Sequence, residues 1–228
     1  AVRTTPESPE LQELLSQMVN IRCESVVMEV SSHALVQQRV SGVDFNAAIF
    51  TNLTQDHLDY HNTMENYFEV KASLFDALLK SRRHSFTVIN IDDPWGMKLA
   101  RRVSSTGTEL ITYGSKLEAV VRVEDFNVTA SGSRIFLRSP WGDAKISLKL
   151  LGRFNVYNAL AAFATCAVLK IEPSKIADVL SNINLVSGRL EKVPTRKGFQ
   201  VFVDYAHTDD ALKNVLGTLR EISSKRLI

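Results

Sequence analysis

The chain has 228 residues, enough for one large domain or two small ones whose core needs no disulfide or metal staple. Hydrophobic residues at 45% and charged residues at 23% exclude an intrinsically disordered chain. The 27 basic and 25 acidic residues leave a net charge of only +2, and the longest basic cluster is the short Ser81-Arg82-Arg83-His84, so a dedicated nucleic-acid or membrane surface is not expected.

After Thr4-Thr5-Pro6, the recurrence of Leu11, Leu14, Leu15, Met18 and Val19 predicts an amphipathic helix over residues 7–20. Residues 25–30 (SVVMEV) read as a short buried parallel strand that delivers Glu29 at its C-terminal edge, where ligands bind in open α/β sheets. A second strand over 43–51 runs into a polar turn holding Asp56, His57, Asp59 and His61, and then into a helix over 63–79. A third strand, 86–91, ends at Asp92-Asp93-Pro94, a helix-start signal for 95–103, and a fourth spans 109–113. Alternating strands and helices predict right-handed crossovers and a mainly parallel sheet. Between 119 and 150, three strand-like runs are separated by Ala130-Ser131-Gly132 and Ser139-Pro140-Trp141-Gly142, which predicts a small antiparallel β-meander forming a layer at the sheet's margin. Helices over 152–169 and 173–183 follow, then strands 190–193 and 201–204 paired around Lys197-Gly198, and a helix from 209 to 224. The fold class predicted is therefore α/β: a mainly parallel sheet flanked by helices, with a small antiparallel β-meander.

Cys23 and Cys166 are far apart and suggest reduced thiols in a cytoplasmic compartment, with a single disulfide left open. No apolar run reaches the roughly 18 residues of a membrane span, and no signal-peptide pattern opens the chain. The first residue is not Met, and an excised piece of a longer protein is expected.

On the helix over 63–79, Met64, Tyr67, Phe68, Phe75, Leu78 and Leu79 form the apolar stripe, and Lys71 falls inside it. Such a lysine either snorkels along the apolar face or keeps a neutral, desolvated amine that can take up carbon dioxide as a magnesium-binding carbamate. His57 and His61 have the four-residue spacing of zinc sites, but no third His or Cys ligand follows them. Asp56 and Asp59 serve as caps and turn formers or as ligands. Ser31 and Ser32 beside His33 lack the turn of a nucleophile elbow, and neighbouring residues on an extended segment point apart, so a serine nucleophile is not expected. Glu29 suits a hard cation. Asn155 and Asn158, at a helix start, either cap it or read a nucleobase. Arg189 and Asp204 flank the last strand pair and, taken singly, are structural.

Jointly, Thr4-Thr5-Pro6, MEVSSHAL (28–35), TNLTQDHLDYH (51–61), the Lys71 helix, LGRFNVYNALAA (151–162), SGRLEKV (187–193) and VDYAHTDDAL (203–212) resemble, in order and spacing, the ATP-dependent Mur ligase family. The branch most similar adds the third residue of the peptidoglycan stem peptide. The resemblance implies a partial P-loop-like central ATPase domain over 1–206 that lacks its phosphate loop, and over 207–228 the hinge and first helix of a truncated C-terminal domain. It implies that Glu29 binds Mg2+ between the β- and γ-phosphates of ATP, and that His57 and a carbamoylated Lys71 hold a second Mg2+; these three are the expected catalytic residues. Asn155 and Asn158 would contact adenine, Arg189 would lie near the nucleotide and Asp204 would hold the ribose. Thr4, Thr5, Ser31, Gln37 and Arg39 would contact the UDP-N-acetylmuramoyl-dipeptide. The implied reaction makes an acyl phosphate at a substrate carboxylate, which the amine of a diamino acid, meso-diaminopimelate or L-lysine, then attacks. A cytoplasmic monomer that engages neither nucleic acid nor membrane is the expected setting.

The pattern G-x-x-x-x-G-K-[ST] occurs nowhere in these residues, and Asp209 stands where the family usually has a hinge proline, so the chain by itself is expected to be inactive and to bind ATP poorly. The alternative reading is a non-catalytic Mur-ligase-like structural or interaction subunit of the plastid type. Folylpolyglutamate synthetase shares the fold and chemistry but suits MEVSSHAL and the DHLDYH spacing less well.

Overall fold

The structure is a computed structural model that describes residues 4–79, 84–196, 198–223 and 226–228. The basic cluster at 81–83, Lys197 of the expected turn and residue 224 of the last helix lie outside the described residues. In chain order the elements are α1 (Ser8–Asn20), α2 (Ser32–Val36), β1 (Ala47–Phe50), α3 (Leu58–His61), α4 (Met64–Leu79), β2 (Phe86–Asn90), α5 (Pro94–Ser104) and β3 (Glu109–Gly114). Then come β4 (Val121–Thr129), β5 (Gly132–Arg138), β6 (Ala144–Leu148), α6 (Arg153–Val168), α7 (Pro173–Asn182), β7 (Glu191–Val193), β8 (Val201–Val203) and α8 (Asp209–Ile222).

Among the described residues, six strands form one mainly parallel sheet in the order β1-β2-β3-β4-β5-β6. All five residues of β2 are buried, the pattern of a strand covered on both faces, whereas β6 alternates buried and exposed residues, as a strand covered on one face does. The meander departs from expectation in one respect. Rather than forming its own layer, it continues the main sheet: Tyr113 of β3 pairs in parallel with Val121 of β4, and β5 then runs antiparallel to both β4 and β6. The short β7–β8 pair is a separate antiparallel sheet, with Glu191 opposite Val203 and Val193 opposite Val201.

The predicted strand over 25–30 is a second departure. These residues carry no regular secondary structure and join no ladder among the described residues, and Val27 is 92% exposed. An apolar β-branched run favours a strand only when a neighbouring strand takes up its backbone groups, and here none of the described strands does. Glu29 is accordingly exposed rather than delivered by a buried strand.

The chain divides into two compact units. One comprises the chain up to Ala48 with His57–Thr87 and Ser105–Glu109; the other comprises Ile49–Asp56, Val88–Ser104 and Leu110–Ile228. In the first, α2 and α3 pack on α4, whose Tyr67, Phe68, Ala72, Phe75 and Leu78 are buried. In the second, α6 packs on β4 and on α7, and α7 packs on β6. The buried Ala159, Ala161, Ala164 and Ala167 allow α6 to approach its neighbours closely. Gly96 near the start of α5 is required by a close approach, since a Cβ there would lie 1.9 Å from the Asn90 carbonyl oxygen. Among the described residues, no helix is long and apolar enough to cross a membrane.

Candidate active site

His57 opens α3 in a left-handed backbone conformation (φ 53°, ψ 28°), which costs an L-residue roughly 1 kcal/mol or more and is retained where the surroundings enforce it. Its ring meets that of His33, from α2, edge-on at 4.9 Å between centroids. His33 in turn lies 4.2 Å from the Tyr60 ring. His61 is 5% exposed, stacks on Tyr67 at 4.9 Å, and places Nε2 2.8 Å from the Ser32 hydroxyl. The Tyr67 ring is shared further: the His57 ring stands 6.2 Å away, and the Lys71 ammonium nitrogen lies 5.4 Å from its centroid. Lys71 is half-buried, so its stem follows the apolar stripe of α4 while its amine ends at the ring that His57 and His61 also face. Burial, reinforced by His33, His57 and Lys71, pushes His61 below its ordinary value of 6.5 against the opposing pull of Asp59. The neutral imidazole is thereby favoured.

Thr5 ties the segment carrying Glu29 to the chain's start. Its hydroxyl donates to the Glu29 carbonyl at 2.9 Å and accepts from the Ser31 amide at 3.0 Å, while Ser31 caps α2 by accepting from the Ala34 amide at 3.2 Å. Arg39, 6% exposed, donates through Nη1 to the Thr5 carbonyl at 3.1 Å and through Nη2 to Gln37 Oε1, and pairs with Glu7 at 3.3 Å. Its Nε is buried without a hydrogen-bond partner among the described residues. Thr5, Ser31, Gln37 and Arg39 thus form one polar knot, with Thr4 exposed beside Thr5.

Magnesium keeps most of its waters and is held by one or two protein ligands together with substrate phosphates. Among the described residues no three His, Cys, Asp or Glu converge into a metal cage. An exposed carboxylate at Glu29 and an exposed imidazole at His57, which shares the Tyr67 ring with Lys71, fit an open, water-rich site of this kind.

In the other unit, Asn155 is 3% exposed and donates to the Leu151 carbonyl at 2.8 Å, and its amide oxygen accepts from Asn158 at 3.2 Å. Asn155 therefore does not cap α6 as an acceptor; Gly152 occupies the cap position. It pins the helix start and orients the exposed Asn158. Leu151 and Arg189 line one cleft of about 250 Å³ with Lys149, Asn184 and Glu191. Asp204 accepts from the Leu190 amide and from the Ala206 amide, each at 2.8 Å, one bond per carboxylate oxygen. The first of these bonds engages the amide of Leu190, which has a left-handed conformation (φ 45°) beside Arg189.

Several residues of these clusters went unassigned from sequence. His33, Tyr60 and Tyr67 complete the histidine cluster, and Ser32 meets His61 rather than the adjacent His33; with Ser32 and His61 both buried, that pair is shut away from a substrate. Asp92 and Asp93, read together as a helix start, divide the work. Asp93 accepts from the Gly96 amide at 2.9 Å and caps α5, whereas Asp92 accepts from Tyr157 at 2.7 Å.

The family model for the Mur ligase middle domain matches residues 1–166, and that for the Mur ligase glutamate ligase domain matches 188–228. The chain belongs to the Mur ligase family. Among its relatives, the UDP-N-acetylmuramoyl-L-alanyl-D-glutamate–2,6-diaminopimelate ligase of Geobacter metallireducens is 46% identical over 233 residues, covering 100% of this chain and 45% of that protein. The enzyme of the same name from Geobacillus thermodenitrificans is 46% identical over 230 residues, covering 100% of this chain and 46% of its own. A solved structure of a ligase with this name superposes with a TM-score of 0.81 at 31% identity, over 97% of this chain and 45% of that one. The chain thus spans less than half the length of the relatives it matches.

Proposed function

We propose that the protein carrying this chain is an ATP-dependent amide ligase that joins 2,6-diaminopimelate to UDP-N-acetylmuramoyl-L-alanyl-D-glutamate in peptidoglycan synthesis. The observation that carries the reading is the Tyr67 ring shared by His57 and Lys71, which gathers the two ligands expected for a phosphoryl-transfer cation at one place. The choice of diaminopimelate over lysine is supported by the names of the relatives at 46% identity. In this reading residues 1–206 belong to the central ATP-binding domain, and 207–228 form the hinge and first helix of the C-terminal domain.

A carboxylate of the D-glutamyl residue attacks the γ-phosphorus of ATP, ADP leaves, and the amine of diaminopimelate displaces phosphate from the acyl phosphate. Magnesium, held by Glu29, His57 and a carbamate on Lys71, would neutralise charge on the phosphoryl oxygens. The stem of Lys71 is held by the α4 stripe and its amine by the face of Tyr67, so a carbamate formed there would start from a fixed position. Thr4, Thr5, Ser31, Gln37 and Arg39 are assigned to the acidic dipeptide portion of the substrate, with the buried Arg39 and Thr5 holding the exposed Thr4 and Gln37 in place. Asn158, aligned by Asn155, contacts adenine, with Arg189 near the nucleotide and Asp204 at the ribose. The enzyme acts as a cytoplasmic monomer, without nucleic acid or membrane.

The test is a coupled assay on the full-length protein. Tripeptide, ADP and phosphate are expected in equal amounts, only when ATP, magnesium, the nucleotide dipeptide and diaminopimelate are all supplied, and with lysine a much poorer acceptor. ADP release that ignores the dipeptide, or no amide product, would overturn the reading.

A further inference from the structure

Asp92 follows β2 and gathers polar groups from the segment after β3 and from the second turn of α6. Its Oδ2 accepts from the Ser115 amide at 2.6 Å, the Ser115 hydroxyl at 2.7 Å and the Tyr157 hydroxyl at 2.7 Å, and its Oδ1 accepts from the Lys116 amide at 3.3 Å. An ionised carboxylate has about four lone-pair sites, so these bonds occupy its capacity. The Asp92 amide donates to Asn90 Oδ1 at 3.0 Å, and Asn90 donates in turn to the Thr51 carbonyl at 2.8 Å, which draws in the segment following β1. The backbone also makes room for this carboxylate, because a Cβ at Gly114 would lie 2.7 Å from Asp92 Oδ1. Burial pulls Asp92 upward, but the hydrogen bonds from Tyr157, Ser115 and Lys116 outweigh it and hold the carboxyl below its ordinary range.

Tyr157 lies in the second turn of α6, directly before Asn158. The buried positions of α6 are mostly alanine, with Val156, Leu160 and Phe163, and such apolar contacts resist separation but discriminate weakly among small rotations and slides. A hydrogen bond to a fixed, charged acceptor discriminates strongly, because it weakens steeply with distance and angle. Arg153 adds a second restraint, its guanidinium lying 5.4 Å from the Phe126 ring of β4 and 5.9 Å from the Tyr157 ring. From this geometry we infer that Asp92 is a positioning residue for the nucleotide: through Tyr157 it sets the rotation of α6 and hence the place where Asn158 meets adenine. This inference rests on the proposed contact of Asn158 with adenine.

Steady-state kinetics on the full-length protein, varying ATP at saturating dipeptide and diaminopimelate, test it with four variants. Tyr157→Phe removes one hydroxyl and is expected to raise KM for ATP about tenfold and to narrow the preference for ATP over GTP, with kcat and KM for the dipeptide within about twofold. Asp92→Asn is expected to raise the same KM at least as far. A merely structural role would instead lower the unfolding temperature and leave KM for ATP and the ATP/GTP ratio unmoved; that outcome in Tyr157→Phe overturns the inference. Asn158→Ala separates the two levels. If it changes neither KM for ATP nor nucleotide preference, the adenine reading has failed; if it changes both while Tyr157→Phe changes neither, only the role of Asp92 has failed. The double variant should be no worse for ATP than Asn158→Ala alone, since Tyr157 acts through Asn158; additive losses would show that it does not.

Discussion

The cluster around Tyr67 and the knot around Asp92 are both dense in polar and ionisable side chains, yet they are built oppositely. At Tyr67 the contacts are mostly between rings: His33 on His57, His61 on Tyr67, and the Lys71 amine over the same tyrosine. Ring contacts fix the place of a side chain through its faces and edges. At Asp92 the contacts are hydrogen bonds that occupy the carboxylate itself. In the proposed function the first arrangement binds, whereas the second holds. Counting ionisable groups would not separate them; the kind of contact each makes does.

Lys71 is where that contrast can be broken most decisively. Lys71→Ala in the full-length protein is expected to lower kcat about 10³-fold or more while moving the unfolding midpoint little, since a half-buried amine over a tyrosine contributes only about 1 kcal/mol to stability. Lys71→Arg keeps a cation over the ring but cannot form a carbamate. Arginine should therefore fail to restore activity, and substantial rescue would show that the lysine acts as a plain cation. His61→Ala should reverse the pattern. Removing a ring that is 5% exposed, stacked on Tyr67 and bonded to Ser32 should destabilise the protein by about 3 kcal/mol in denaturant titrations. Near wild-type stability in that variant would mean that the histidine cluster is not held together from its buried side.

How much of this was legible in the sequence depends on the range over which each feature is decided. The α4 helix and the inward position of Lys71 follow from spacing within a few turns, and the β4–β6 meander follows from turn residues between alternating runs, so both could be read directly. The one-turn helices α2 and α3 are too short to show a period, and they are what bring His33 and His57 together. Residues 25–30 carry the composition of a buried strand, but a strand is a property of a pair, and composition cannot supply the partner. Glu29, Asn155 and Asp204 stand in family motifs, but what their atoms touch cannot be read from those motifs. That Asn155 donates to Leu151, and that Asp204 bonds the Leu190 amide fourteen residues away, are tertiary facts. The Asp92–Tyr157 bond spans 65 residues and leaves no periodic trace in either segment.

The two asparagines of α6 give a smaller but cleaner separation of holding from binding. Asn155 is buried with both ends of its amide engaged, so Asn155→Ala should cost about 2 kcal/mol of stability by stranding the Leu151 carbonyl. Asn158 is exposed, and its replacement by Ala should leave the unfolding midpoint within the scatter of surface substitutions. Equal losses at the two positions would mean that Asn158 is also structural.

The smallest expected effect concerns acid. Asp92 has a folded-state pKa below its ordinary value of 3.8, so above that value it is ionised in both folded and unfolded chains and its contribution to stability is complete. As the pH falls below 3.8, the unfolded chain takes up the proton first, and the contribution is lost as the pH drops through the lowered folded value. Asp92→Asn cannot titrate. Its deficit relative to the wild type, about 1 kcal/mol near neutrality once solvent screening of a partly exposed group is allowed for, should therefore shrink in acid until the two curves approach each other. Parallel curves down to the acid limb would mean that the carboxylate gains nothing from Tyr157, Ser115 and Lys116 as an anion, and the knot would then hold α6 by packing alone.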